Sequence, residues 1–150
     1  MFKSALSRLM TTDSSLASLV LRVPTGIIFM AHGSQKLFGA FGGYGLEGTG
    51  QWMASIGIEP GYLMALLSGS GEFFGGLAIL LGLLTRPAAA VLAFIMLVAI
   101  LTVHIGNGLF ASNNGYEYAL ALLTIAASLV ITGGGKLSLD RLLSPARHDS

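Results

Sequence analysis

The chain has 150 residues, 53% hydrophobic and only 10% charged, with a formal net charge of +1 and no cysteine; its mean hydropathy is +0.77. A soluble domain carries roughly 25% charged residues, so a surface for water is missing. Intrinsic disorder is excluded, and nucleic-acid binding is not expected of a few scattered basic residues. Without cysteine there are no disulfides, thiolate metal sites or thiol relays, which leaves an integral membrane protein whose first partner is the lipid bilayer.

A membrane helix needs about 20 mostly apolar residues. In chain order, Phe2, Leu6, Leu9 and Met10 share one helical face, which predicts a short surface helix near 2–10. The first span is predicted over 16–38. The segment Gly39 to Gly48 is rich in glycine and reads either as a plain linker or as a lid over the outer mouth of the bundle. A second short surface helix is expected near 49–57, with Thr49 as its cap. Spans follow over 62–84, 88–105 and 116–132. Arg86-Pro87 separates the second from the third, and Asn107-Gly108 with Asn113-Asn114-Gly115 marks the turn before the fourth. Gly133-Gly134-Gly135 closes the last span, and a third surface helix is expected near 136–143. The fold class is all-α: a single membrane-embedded four-helix bundle.

Lys3, Arg8, Arg86, Lys136, Arg141 and Arg147 all flank one side of this path, whereas Lys36 alone flanks the other. The positive-inside rule then puts both termini in the cytoplasm.

Ionisable side chains inside a bilayer cost on the order of 3 kcal/mol and tend to face the bundle interior. Arg22, Gly26, Phe29, Gly33 and Lys36 fall on one stripe of the first span, with His32 at its edge. Glu72 shares a face with Gly69, Gly76 and Ile79, and Glu117 with Ala121, Thr124 and Ser128. Arg22 is expected to snorkel to the inner interface. His32, Lys36, Glu72, His104 and Glu117 are expected to converge on a polar cavity open to the outside, with Phe29, Phe38, Phe73 and Phe74 as apolar walls. The segments His32 to Tyr44 and His104 to Tyr116 match at five of thirteen positions without a gap. That match suggests a tandem two-helix repeat, which would set His32 opposite His104.

Each residue also has a plainer role. Lys36 and a glutamate would be a structural pair, the histidines would bond across helices, and Glu117 would favour a helix N-terminus. Histidines and glutamates together could hold a metal, and two facing histidines a haem. No HxxxH or ExxH spacing is present, so neither metal nor haem is favoured.

Taken together, His32-Gly33-x-x-Lys36-Leu37-Phe38-Gly39 after Arg22-x-x-x-Gly26, and Gly71-Glu72-x-x-Gly75-Gly76-Leu77 running on to Thr85-Arg86, make a recognisable pattern. With Asn114-Gly115-Tyr116-Glu117-Tyr118 and the closing Ser138-Leu139-Asp140, the chain resembles the DoxX family over about residues 16–143. The resemblance implies a four-helix protein of the bacterial inner membrane, linked to membrane redox systems that include small subunits like those of thiosulfate–quinone oxidoreductases. Two functions stand at this point. In one, the outer cavity binds a quinone and a redox partner subunit supplies electrons, with His32, His104 and Lys36 as donors and Glu72 or Glu117 relaying protons. In the other, the chain is a non-catalytic membrane anchor, or a small-ligand-binding module for a partner protein. A homo-oligomer fits either.

Overall fold

The computed structural model describes residues 14–143, and the surface helix expected near 2–10 lies outside them. The described residues form helices joined by short turns, with no strand among them. Helix α1 spans Ser14–Phe38 and α2 spans Gly45–Ser55. Helix α3 spans Gly61–Leu81, α4 spans Thr85–Ala99, α5 spans Glu117–Thr132, and α6 is the short Leu139–Leu143. A π-helical stretch, Ile100–His104, carries α4 onward.

Three helical segments are long and apolar enough to cross a membrane: Leu16–Phe38, Gly61–Leu81 and Thr85–Asn107. The fourth, α5, is apolar but has 16 residues, about 24 Å at 1.5 Å per residue. It therefore falls short of a hydrocarbon core about 30 Å thick. The four long helices alternate in direction. Both described ends of the chain meet at one end of the bundle, where Ser18 of α1 bonds Thr132 and Gly133 after α5. We call this the terminal end and the other the distal end.

Several element limits differ from the sequence expectation, each for a local reason. Helix α3 stops at Leu81 because Gly82 takes a left-handed conformation (φ 67°), and the Leu83 N–H turns back to Ala78 O at 2.9 Å. Any Cβ on Gly82 would also meet Arg22 and Ser138. Helix α4 starts at Thr85, ahead of Pro87, because proline in a first turn lacks only an N–H that would have no helical partner there. Helix α2 begins at Gly45, so Thr49 is buried inside it and does not cap it. Only Leu139–Leu143 of the expected last surface helix is helical.

Helix α1 packs chiefly on α3, and α4 chiefly on α5. The first contact is a seam of glycines spaced seven apart on each helix. A Cβ on Gly33 would sit 2.5 Å from Phe73 N, and one on Gly26 2.7 Å from Gly76 O. A Cβ on Gly76 would lie 2.8 Å from both Gly26 O and Met30 N. Such close backbone approach is how membrane helices gain van der Waals contact without a hydrophobic drive. The GxxxG pair Gly71 and Gly75 turns instead to α4, against Ile95 and Leu92. Phe29, Ile79, Ala89, Leu92, Ala126 and Leu129, each 1% exposed or less, belong to the core joining all four helices.

Candidate functional site

The glycine seam fixes the rotation of α1 against α3, and this brings Lys36 to Glu72. Lys36 Nζ donates to Glu72 Oε2 at 2.6 Å. The Glu72 side chain is 4% exposed and the Lys36 side chain 22%. The pair therefore has one buried partner and one that reaches an opening. An ammonium carries three N–H donors, and this contact uses one of them.

The opening is a cavity of about 330 Å³ in the distal half of the bundle. His32, Lys36, Glu72 and His104 all line it, together with Ser68 and Asn114. The rest of the lining is mainly apolar, with Met53 from α2, Phe29 from α1 and Met96 from α4 among it. A volume near the lower end of the roughly 300–1,000 Å³ range, with a few polar groups in an apolar wall, suits one small organic group. The two histidines differ in their bonding. His104 Nδ1–H donates to Asn114 O at 2.9 Å, so in the neutral ring Nε2 is left as an acceptor. Asn107 Nδ2 donates to the same carbonyl at 3.1 Å and holds the loop in place. The His32 ring lies 6.2 Å from that of Tyr118, tilted by 47°. No cluster of three or more His, Asp or Glu among the described residues is arranged to hold a metal ion.

Glu117 is not among the residues lining the cavity. It is exposed at the first position of α5, and its N–H bonds Leu109 O at 2.9 Å. The face it shares with Ala121 and Thr124 points away from the bundle, whereas Ala119, Leu122, Ala126 and Leu129 point inward. Thr124 can face outward because its hydroxyl bonds Leu120 O of its own helix at 2.8 Å. The expected aromatic walls also divide. Phe29 lines the cavity, but Phe38, Phe73 and Phe74 stack edge-to-face elsewhere, with Phe38 and Phe74 exposed. The cover comes from Trp52, Met53 and Ile58, further along the chain than the glycine-rich Gly39 to Gly48. The apolar-next-to-aromatic run in Trp52-Met53 was the available signal for it.

At the terminal end, Arg22 is 1% exposed and does not snorkel. Its Nη1 reaches Ile79 O at 3.3 Å and Leu80 O at 3.4 Å, and its Nη2 donates to Leu137 O. A cation at the C-terminus of α3 is favoured by the helix dipole. The mirror arrangement serves α4, whose first N–H groups, Leu84 and Thr85, donate to Asp140 Oδ1 at 2.7 Å and Oδ2 at 3.0 Å. Burial pushes the Asp140 carboxyl up, but those N–H donors and the Arg22 charge outweigh it and hold it below its usual value.

Comparisons with known proteins point to one family. The chain matches the DoxX family model over residues 17–105. It is 37% identical over 131 residues to "Putative oxidoreductase CatD" of Bacillus subtilis (strain 168), covering 87% of this chain and 90% of that protein. It is 38% identical to "Inner membrane protein YqjF" of Escherichia coli (strain K12), covering 84% of this chain and 91% of that protein. "Inner membrane protein YphA" of the same organism is 30% identical, with 82% and 87% covered. No solved structure matches. With most of its length aligned to membrane proteins of this kind, and with membrane-length helices of its own, the chain belongs to the DoxX family.

Proposed function

We propose that the distal cavity binds a quinone-like molecule and that the protein serves a membrane redox system. The observation that carries this reading is the Lys36–Glu72 pair, opening onto a cavity whose remaining wall is mainly apolar. A ring with polar oxygens needs that combination: an apolar slot, a donor for a carbonyl and an acceptor for a hydroxyl. Lys36 Nζ has spare N–H groups for a carbonyl oxygen, and His104 Nε2 can accept from a hydroxyl. Glu72 sits at the inner base, bonded to Lys36, where it can hold or release a proton. Quinones supply reversible two-electron, two-proton chemistry; this chain has no cysteine to supply any of its own. Electrons therefore come from a partner subunit. One relative's printed name includes oxidoreductase, which supports the redox reading. The basic flanks support a cytoplasmic terminal end in a bacterial inner membrane, with the cavity facing outward.

The chain's single tryptophan, Trp52, lines the cavity and gives a direct readout. A short-chain benzoquinone should quench Trp52 fluorescence saturably in detergent-solubilised protein. His32→Ala and Glu72→Gln should weaken the titration while the protein stays folded. If the parent protein gives only linear, collisional quenching, the anchoring-module reading takes its place.

A further inference from the structure

The distal cavity reaches the side of the bundle. Gly75 meets Leu92 and Gly71 meets Ile95, so α3 and α4 touch closely at mid-height. Distal to that, Ser68 of α3, Val98 of α4 and Thr102 of the π-helical stretch that continues it line the cavity. Val98 and Thr102 are also exposed, as is Trp52, another residue of the lining. The Thr102 hydroxyl is satisfied within its own helix by Val98 O at 2.7 Å, so this rim presents no free side-chain polarity of its own on α4. The rim residues fall inside membrane-length segments, Ser68 in Gly61–Leu81 and Val98 and Thr102 in Thr85–Asn107. Val98 lies six residues before His104, about 9 Å below it, and Ser68 lies seven residues after Gly61, about 10 Å below the distal end of α3.

We infer that the cavity has a lateral mouth between the distal halves of α3 and α4, and that its ligand is a membrane amphiphile. The polar head reaches Lys36 and His104, and an apolar tail leaves past Val98 and Thr102 into the bilayer. The identity of the head rests on the quinone reading; the mouth does not. A tail in this position needs no polar partner, which the rim on α4 lacks, whereas a water-soluble ligand would gain nothing from an exit at that depth. Beyond Ile95, which still meets Gly71, Val98 and Ala99 of α4 line the cavity.

Two measurements test this separately. Because the chain has no cysteine, a nitroxide on Ser68→Cys or Val98→Cys reports one site in proteoliposomes. Collisions with lipid-dissolved oxygen should exceed those with a water-soluble nickel chelate at both positions. Dominance of the chelate at Ser68→Cys, or silence to both reagents there, overturns the lateral mouth whatever the ligand. In the second, Trp52 quenching compares a tailless benzoquinone with one bearing a long isoprenoid chain. Val98→Phe and Thr102→Phe should cut the ratio of tailed to tailless affinity by about tenfold, whereas Ala121→Phe, on the exposed face of α5, should leave it unchanged. An unchanged ratio in both rim variants overturns the tail path. If the parent binds neither compound, the quinone reading fails and the nitroxide result decides the mouth alone.

Discussion

Each end of the bundle holds a cation between its helices, buried Arg22 at one and half-buried Lys36 at the other, and uses it in opposite ways. At the terminal end the Arg22 guanidinium is directed onto the carbonyls of Ile79, Leu80 and Leu137. Asp140 is directed onto the N–H groups of Leu84 and Thr85. Neither side chain lines the distal cavity. At the distal end Lys36 has one partner, His104 keeps a ring nitrogen unused, and both face a void. An intramembrane charge is thus weak evidence of a binding site taken alone. What separates the ends is spare hydrogen-bonding capacity beside an unfilled volume.

If that contrast is right, substitutions at the two ends should differ in kind as well as size. The largest effect is expected from Arg22→Met, which leaves Leu80 O and Leu137 O without a donor, whereas Ile79 O keeps the Gly82 N–H at 3.2 Å. At roughly 1–3 kcal/mol per orphaned group, the loss should be about 4 kcal/mol, read as a fall in the thermal midpoint in detergent. Trp52 quenching by a benzoquinone in the fraction still folded should be unaltered. A midpoint equal to the parent's would remove the clamp from the account.

Lys36→Met should come next, at roughly 2–3 kcal/mol. A sealed pair broken on one side costs about 3–5 kcal/mol, but this pair lines a cavity and is not sealed in apolar wall. Lys36→Met combined with Glu72→Gln should cost less than the sum of the two single changes. Additive losses would show that the two side chains act independently. Combining Lys36→Met with Glu117→Gln, by contrast, should be additive, because Glu117 is not paired with Lys36.

The smallest effect concerns acidity. The Asp140 carboxyl is held below its ordinary value of 3.8 in the folded protein. Its contribution is therefore complete above that value and lost as the pH falls through the lower, folded one. Thermal midpoints measured from pH 6 downward should drop in the parent near the acid end, and the drop should be shallower in Asp140→Asn. At neutral pH the same variant should cost about 1 kcal/mol, as for a lost helix cap. Superimposable acid profiles would mean the carboxylate does not cap α4.

Periodicity made the α1–α3 contact legible beforehand. The stripe Arg22, Gly26, Phe29, Gly33, Lys36 and the face Gly69, Glu72, Gly76, Ile79 are the surfaces that meet, because helical phase depends only on residue spacing. The same arithmetic misread α5. A set of small and hydroxyl residues marks a face but not its direction, and Thr124 satisfied by its own backbone is content in lipid. The partners of Arg22 were hidden for another reason: they are backbone carbonyls 57 to 115 positions away, and a carbonyl leaves no mark in a sequence. Trp52, Met53, Met96 and Tyr118 became cavity wall through the mutual rotation of three helices, which no single helix encodes. His32 and His104 both reach the cavity, but Glu72 lies deep in α3 while Glu117 opens α5.

The glycine seam has one more consequence. A membrane protein with a cup on one side risks becoming a leak, because a file of water molecules conducts protons. Between His32 and Arg22 on α1, and from Glu72 to the end of α3, there is no ionisable side chain. There the two backbones lie so close that a single methyl would clash at Gly26 or Gly76. Water has no room to form a file along that contact. The glycines that let α1 and α3 touch thereby also close that contact to a proton-conducting file beneath the cup.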